Sequence, residues 1–151
     1  MTIITVIYLA RGEKFSPAAA EAATGVNFDA KVESGEIGKI GRYRGQATPY
    51  GRGQKNWEDD EIDLISPNAE FFAMIKLLDS AAVASGAVSR RVHLLVKYGT
   101  QCNFSISPSF VKNLALLELT VTVTCYSDPE EEAKDIGDWK ELERDSEEPE
   151  R

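Results

Sequence analysis

The sequence predicts an α+β fold: an antiparallel sheet of about five strands, three helices packed against it, and a strand-helix-strand unit at the C-terminal end. Three observations carry this reading. Residues 102–126 pass from alternating to helical and back to alternating hydrophobicity. The pair Ser-Pro precedes an apolar stretch at Ser16, Ser66 and Ser107, where the Ser hydroxyl can accept from a free N–H of the first turn and Pro gives up a donor the helix does not need. Strand-like alternation recurs over residues 3–9 and 92–98.

Taken in order, Ile3, Thr5, Ile7 and Leu9 alternate with Ile4, Val6 and Tyr8. Apolarity on both sides predicts a central strand covered on both faces. MTIITVIYLA has no basic leader and no small-residue cleavage pattern, so it is read as a strand rather than a signal peptide. Ser16-Pro17 opens a helix whose five alanines suit close packing on a sheet, and Thr24-Gly25 ends it. Val32 to Ile37 and Glu61 to Ile65 are predicted as short strands, with Trp57 just before the second. Between them, residues 38–55 form a loop rich in glycine and basic side chains.

Ser66-Pro67 starts the longest helix, on which Phe71, Met74, Ile75, Leu78, Ala81 and Ala82 make one apolar face ending near Gly86. Val92, Leu94, Val96 and Tyr98 alternate with Arg91, His93 and Lys97, and Gly99-Thr100-Gln101 is predicted to turn this strand into a hairpin with Cys102, Phe104 and Ile106. Phe110, Val111, Leu114 and Leu117 line the third helix. The last strand sets Leu119, Val121, Val123 and Cys125 against Thr120, Thr122, Thr124 and Tyr126. Cys102 and Cys125 are expected as reduced, inward-facing core residues.

A chain of 151 residues suits one domain over 1–127, large enough to bury a core without metal or disulfide support. Residues 128–151 hold twelve acidic and four basic side chains, so the formal charge of −8 lies entirely there and the rest is balanced. Such an acidic segment is expected to form a flexible tail. Within it Ile136, Trp139 and Leu142 recur at near-helical spacing and are candidate partner-binding residues. No run reaches the roughly 20 apolar residues of a membrane span, and a soluble cytoplasmic protein is expected.

The Phe15-Ser16-Pro17 helix start, the Thr24-Gly25 stop, the basic loop leading to Trp57, the helix from Ser66 and the run Phe104 to Tyr126 carry a family likeness. Over about residues 3–127 the chain resembles the bacterial domain of unknown function 4279 family. The family usually has Leu-Gly at the first helix end and Pro-Thr soon after, where this chain has Thr24-Gly25 and Val26-Asn27-Phe28. The resemblance implies an α+β sandwich and no catalytic residues. Some similar small domains look like immunity proteins encoded beside bacterial toxins.

No catalytic constellation is present in the sequence. His93 is the single histidine and falls on the polar face of its strand. There is no Cys-x-x-Cys or His-Glu-x-x-His, so neither a zinc site nor any cofactor is expected. Glu58, Asp59, Asp60, Glu61 and Asp63 read as a solvated acidic turn without calcium-loop spacing. The candidate binding residues lie in and after the glycine-rich loop. Arg42, Arg44, Arg52 and Lys55 supply positive charge, and Tyr43, Tyr50 and Trp57 supply stacking faces. Two functions follow. The first is a non-enzymatic protein-binding module of the immunity type, whose acidic tail steers a basic toxin. The alternative is a domain that binds a small anion or nucleic acid through the basic loop.

Overall fold

The computed structural model describes residues 2–58 and 69–127. Five strands, β1 (Thr2–Gly12), β2 (Ala30–Val32), β3 (Gly51–Trp57), β4 (Ser89–Tyr98) and β5 (Thr120–Ser127), form one sheet in the order β2-β3-β1-β4-β5. Three helices accompany it: α1 (Pro17–Thr24), α2 (Ala69–Ala84) and α3 (Pro108–Leu116). The fold is α+β and ends in strand, helix and strand, as the sequence predicts.

The sheet is mixed rather than purely antiparallel. β1 runs antiparallel to both β3 and β4, whereas β4 and β5 are parallel. Parallel neighbours need a crossover longer than a tight turn. Residues 99–119, including α3, supply it, so the expected hairpin at Gly99-Thr100-Gln101 is absent. Residues 101–107 belong to no strand. Their alternation is nevertheless real: Cys102, Phe104 and Ile106 pack against the core while Gln101, Asn103 and Ser105 face outward. Period-two burial here comes from an extended segment lying on the core, without ladder hydrogen bonds.

Capping follows the sequence closely. Ser16 Oγ accepts from the Ala19 N–H at 3.2 Å, and Ser107 Oγ from the Phe110 N–H at 3.1 Å. Gly25, at φ 72°, stops α1 and donates its N–H to the Glu21 carbonyl. The expected Ser66-Pro67 cap and the expected strand Glu61 to Ile65 lie outside the described residues, as do Asp59 to Asp63 and the segment 128–151. The expected strand Val32 to Ile37 is shifted: β2 ends at Val32, and Ile37 makes only an isolated bridge to Ala47.

The core lies on one face of the sheet. Ile4, Val6, Tyr8 and Ala10 of β1 join Val92, Leu94 and Val96 of β4, and the helices add Ala20, Phe71, Ile75, Leu78, Ala82, Phe110 and Leu114. Phe71 stacks on Phe110 with ring centroids 6.1 Å apart and meets Trp57 edge-on at 5.1 Å. β1 is central, and among the described residues the helices cover this face only. Ile3, Thr5, Ile7 and Leu9 on the opposite face are half-buried.

Several residues expected on core faces are exposed: Met74 of α2, Val111 of α3, and Val121, Val123 and Cys125 of β5. Cys125 faces the helix side, opposite Val96, yet β5 is an outer strand and Cys125 is exposed. Val111 is exposed on α3 for the same reason, since the core beside it stops at β4. Cys102 and Cys125 are both free thiols.

Candidate functional site

β3 decides where the basic side chains go. Residues 51–55 read as loop because glycine and arginine have little strand preference, yet residues 51–57 pair with β1 from Gly12↔Gly51 to Val6↔Trp57. The glycines admit close neighbours. A Cβ on Gly51 would overlap the Phe15 carbonyl oxygen, and one on Gly53 would lie 2.8 Å from the Phe28 ring. Tertiary contacts therefore select a strand that local propensity does not announce.

Strand alternation then separates the predicted site residues. Arg52 stands opposite Arg11 on the open face of the sheet, while Lys55 and Trp57 stand opposite Tyr8 and Val6 on the helix-covered face. On the open face, Leu9, Ala10, Arg11, Tyr50, Arg52, Ser89 and Arg91 line a cleft of about 200 Å³. Arg91 enters from β4, where Leu9 is its register partner. Three guanidinium groups from three adjacent strands thus share one end of one sheet face. None has an ion-pair partner among the described residues. Arg52 donates to Gln54 Oε1 at 3.1 Å, and Arg11 lies over the Tyr50 ring, 4.9 Å from its centroid.

The basic loop leans on this cleft through aromatic rings. Tyr43 meets Tyr50 edge-on with centroids 5.9 Å apart, and Arg42 lies 5.7 Å from the Tyr43 centroid. Residues 33–48 are tied back on themselves: Gly35 and Thr48 N–H groups donate to the Thr48 and Glu36 carbonyls at 2.8 Å, and the buried Thr48 hydroxyl donates to the Glu33 and Glu36 carbonyls. Arg44 is exposed beside a 3₁₀ turn over Gly41–Tyr43.

Lys55 and Trp57 border a second cavity, of about 490 Å³, with Val26, Asn27, Asn56, Glu70, Phe71 and Met74. Lys55 Nζ is 3.7 Å from Asp29 Oδ1, and Trp57 is only 7% exposed. Trp57 is a core residue. The candidate tail residues Ile136, Trp139 and Leu142 lie outside the described residues.

Arg11 and Arg91 complete the cleft and were not among the residues the sequence singled out. Each carried a signal. Arg11 continues the odd-numbered face of Ile3, Thr5, Ile7 and Leu9, and Arg91 opens the polar face that holds His93 and Lys97. His93 sits on this same open face, with Nε2 2.9 Å from the Thr124 hydroxyl.

A guanidinium stays charged at all accessible pH and presents a planar fork of donors that fits carboxylate or phosphate. Like charges directly opposite across strands destabilise a sheet, so the Arg11–Arg52 pair gains from an anion placed between its members. Comparison with family models, curated proteins and solved structures gives no match.

Proposed function

We propose that this protein is a non-enzymatic binding module that takes an anionic group, phosphate or carboxylate, in the arginine cleft on the open face of its sheet. One observation carries the reading: Arg11, Arg52 and Arg91 converge from three strands with no carboxylate partner among the described residues. Tyr50 and Tyr43 extend the cleft with ring faces suited to a base or a planar acid. Titration calorimetry with inorganic pyrophosphate and with a short single-stranded oligonucleotide tests it. Binding that weakens as salt rises, and about tenfold or more on Arg91→Ala, is expected, because each lost phosphate contact removes a counterion-release contribution. Absence of salt-sensitive binding to either probe overturns it.

The charge of residues 128–151 favours a second reading, a bacterial cytoplasmic protein-binding module of the immunity type. A charge of −8 in a terminal segment speeds encounter with a basic partner. The resemblance to the domain of unknown function 4279 family supports the same reading. Affinity purification from the native cell, with and without residues 128–151, tests it: a basic protein retained only by the full chain is expected, and no stable partner overturns it.

A further inference from the structure

β5 is the outer strand of the sheet, paired to β4 on one side and to no described strand on the other. Among the described residues this outer edge has no ladder partner, and natural proteins usually guard such an edge with charge, proline or a bulge. None of the eight residues Thr120–Ser127 is charged or proline. Val121 and Val123 are 42% and 46% exposed on the helix side, and α3, which leads into β5, exposes Val111 and Leu116.

The residues themselves indicate what covers this edge. Thr120-Val121-Thr122-Val123-Thr124 reads identically in both directions. Antiparallel pairing of two copies about a two-fold axis at Thr122 sets Val121 opposite Val123, Thr120 opposite Thr124, and Thr122 opposite itself. Each side chain meets its own kind on its own face, the self-complementarity that an isologous interface requires. A second observation falls at the same residue. Thr122 Oγ1 is a buried hydroxyl without a hydrogen-bond partner among the described residues, and a cross-strand Thr–Thr pair supplies one on rotation of the side chain.

Charge also selects a second copy in this orientation. The uncharged strands meet without repulsion, and antiparallel pairing puts the two Ser127 positions, after which the −8 segments begin, at opposite ends of the paired strands. At about 3.4 Å per residue the two Ser127 positions stand roughly 30 Å apart, several Debye lengths at physiological salt. We infer that the protein is a two-fold dimer joined edge to edge through β5, with one continuous ten-stranded sheet centred on the Thr122 pair. The axis stands perpendicular to the sheet, so both open faces look the same way. This inference does not depend on the anion site.

Sedimentation of the full chain tests it, with a concentration-dependent dimer expected. Val123→Lys, at an exposed position, is expected to keep the far-ultraviolet circular dichroism and raise the dimer dissociation constant at least tenfold. Register is tested in a Cys102→Ser, Cys125→Ser background under diamide oxidation. Thr122→Cys should give a covalent dimer, and Thr120→Cys, facing position 124 of the other copy, should not. A full chain that is monomeric at every concentration overturns the inference. So does a dimer that Val123→Lys leaves unchanged, or equal cross-linking of both cysteine variants.

Discussion

The hydroxyl of Tyr8 donates a 2.7 Å hydrogen bond to Oδ1 of Asp79, whose Oδ2 lies 2.5 Å from an Arg90 nitrogen. The three residues tie β1, α2 and β4 together at the centre of the core, with Asp79 only 4% exposed. Arg90 also reaches the Leu117 carbonyl at the end of α3, at 3.5 Å. Removing the carboxylate strands a largely buried guanidinium, so Asp79→Ala is expected to cost about 3–5 kcal/mol in urea unfolding. Tyr8→Phe leaves the ion pair intact and is expected to cost about 1–2 kcal/mol.

Burial, followed by the hydrogen bond to Asp79, pushes the Tyr8 phenol far above its ordinary value of 10. A raised value in the folded state means that the stabilisation is fully present below pH 10 and is lost as pH rises further. The stability difference between the native chain and Tyr8→Phe should therefore be constant from neutral pH to about pH 9 and shrink above pH 10. Denaturant titrations across that window measure it.

Glu21 behaves in the opposite sense. Burial raises its carboxyl, but the Lys31 ammonium and the Phe28 N–H, which donates at 2.9 Å, outweigh burial and hold it below its ordinary value of 4.5. Its contribution is present above that value and lost as pH falls below it. Lys31 is half exposed, so Glu21→Gln is expected to cost about 1 kcal/mol or less at pH 7. The difference should vanish at low pH, as read by thermal unfolding between pH 7 and pH 3.

Gly51→Ala places a methyl group against the Phe15 carbonyl, which is fixed at the entry to α1. Neither backbone can yield without breaking β3 or the Ser16 cap. The variant is expected to lose about 2–3 kcal/mol by chemical denaturation. An unchanged midpoint would refute the close approach.

Interaction with the Cys125 thiol, and then burial, push the Cys102 thiol above its ordinary value. Thiolate is the reactive form. Under iodoacetamide at pH 8, the exposed Cys125 should alkylate first and Cys102 several-fold more slowly, as followed by mass spectrometry of the peptides.

Much of this arrangement was legible along the chain. Ser16-Pro17, Ser107-Pro108 and Gly25 act within one turn of themselves, so their geometry follows from residue type. The alternation of β1, β4 and β5 reports faithfully which side chains share a face. It does not report what lies on either side. Cys102, Phe104 and Ile106 alternate as a strand does but join no strand pair among the described residues, because burial of every second side chain requires a core and not a ladder. Arg52 and Trp57 belong to one run of sequence, yet lie on opposite faces once residues 51–57 become a strand.

By itself the sequence determined the α+β class, the two described helix starts, the stop of α1, the inward set of β4, and the concentration of net charge in residues 128–151. Each depends on residue identity and spacing over one or two turns. Only the tertiary structure decided that β4 and β5 run parallel, that the glycine-rich residues before Trp57 form β3, and that Arg11, Arg52 and Arg91 meet. Those outcomes join residues about thirty to eighty positions apart through backbone pairing. That register is set by how the whole apolar face packs, through contacts such as Phe15 on Gly51 and Asp79 on Tyr8 that no local pattern encodes.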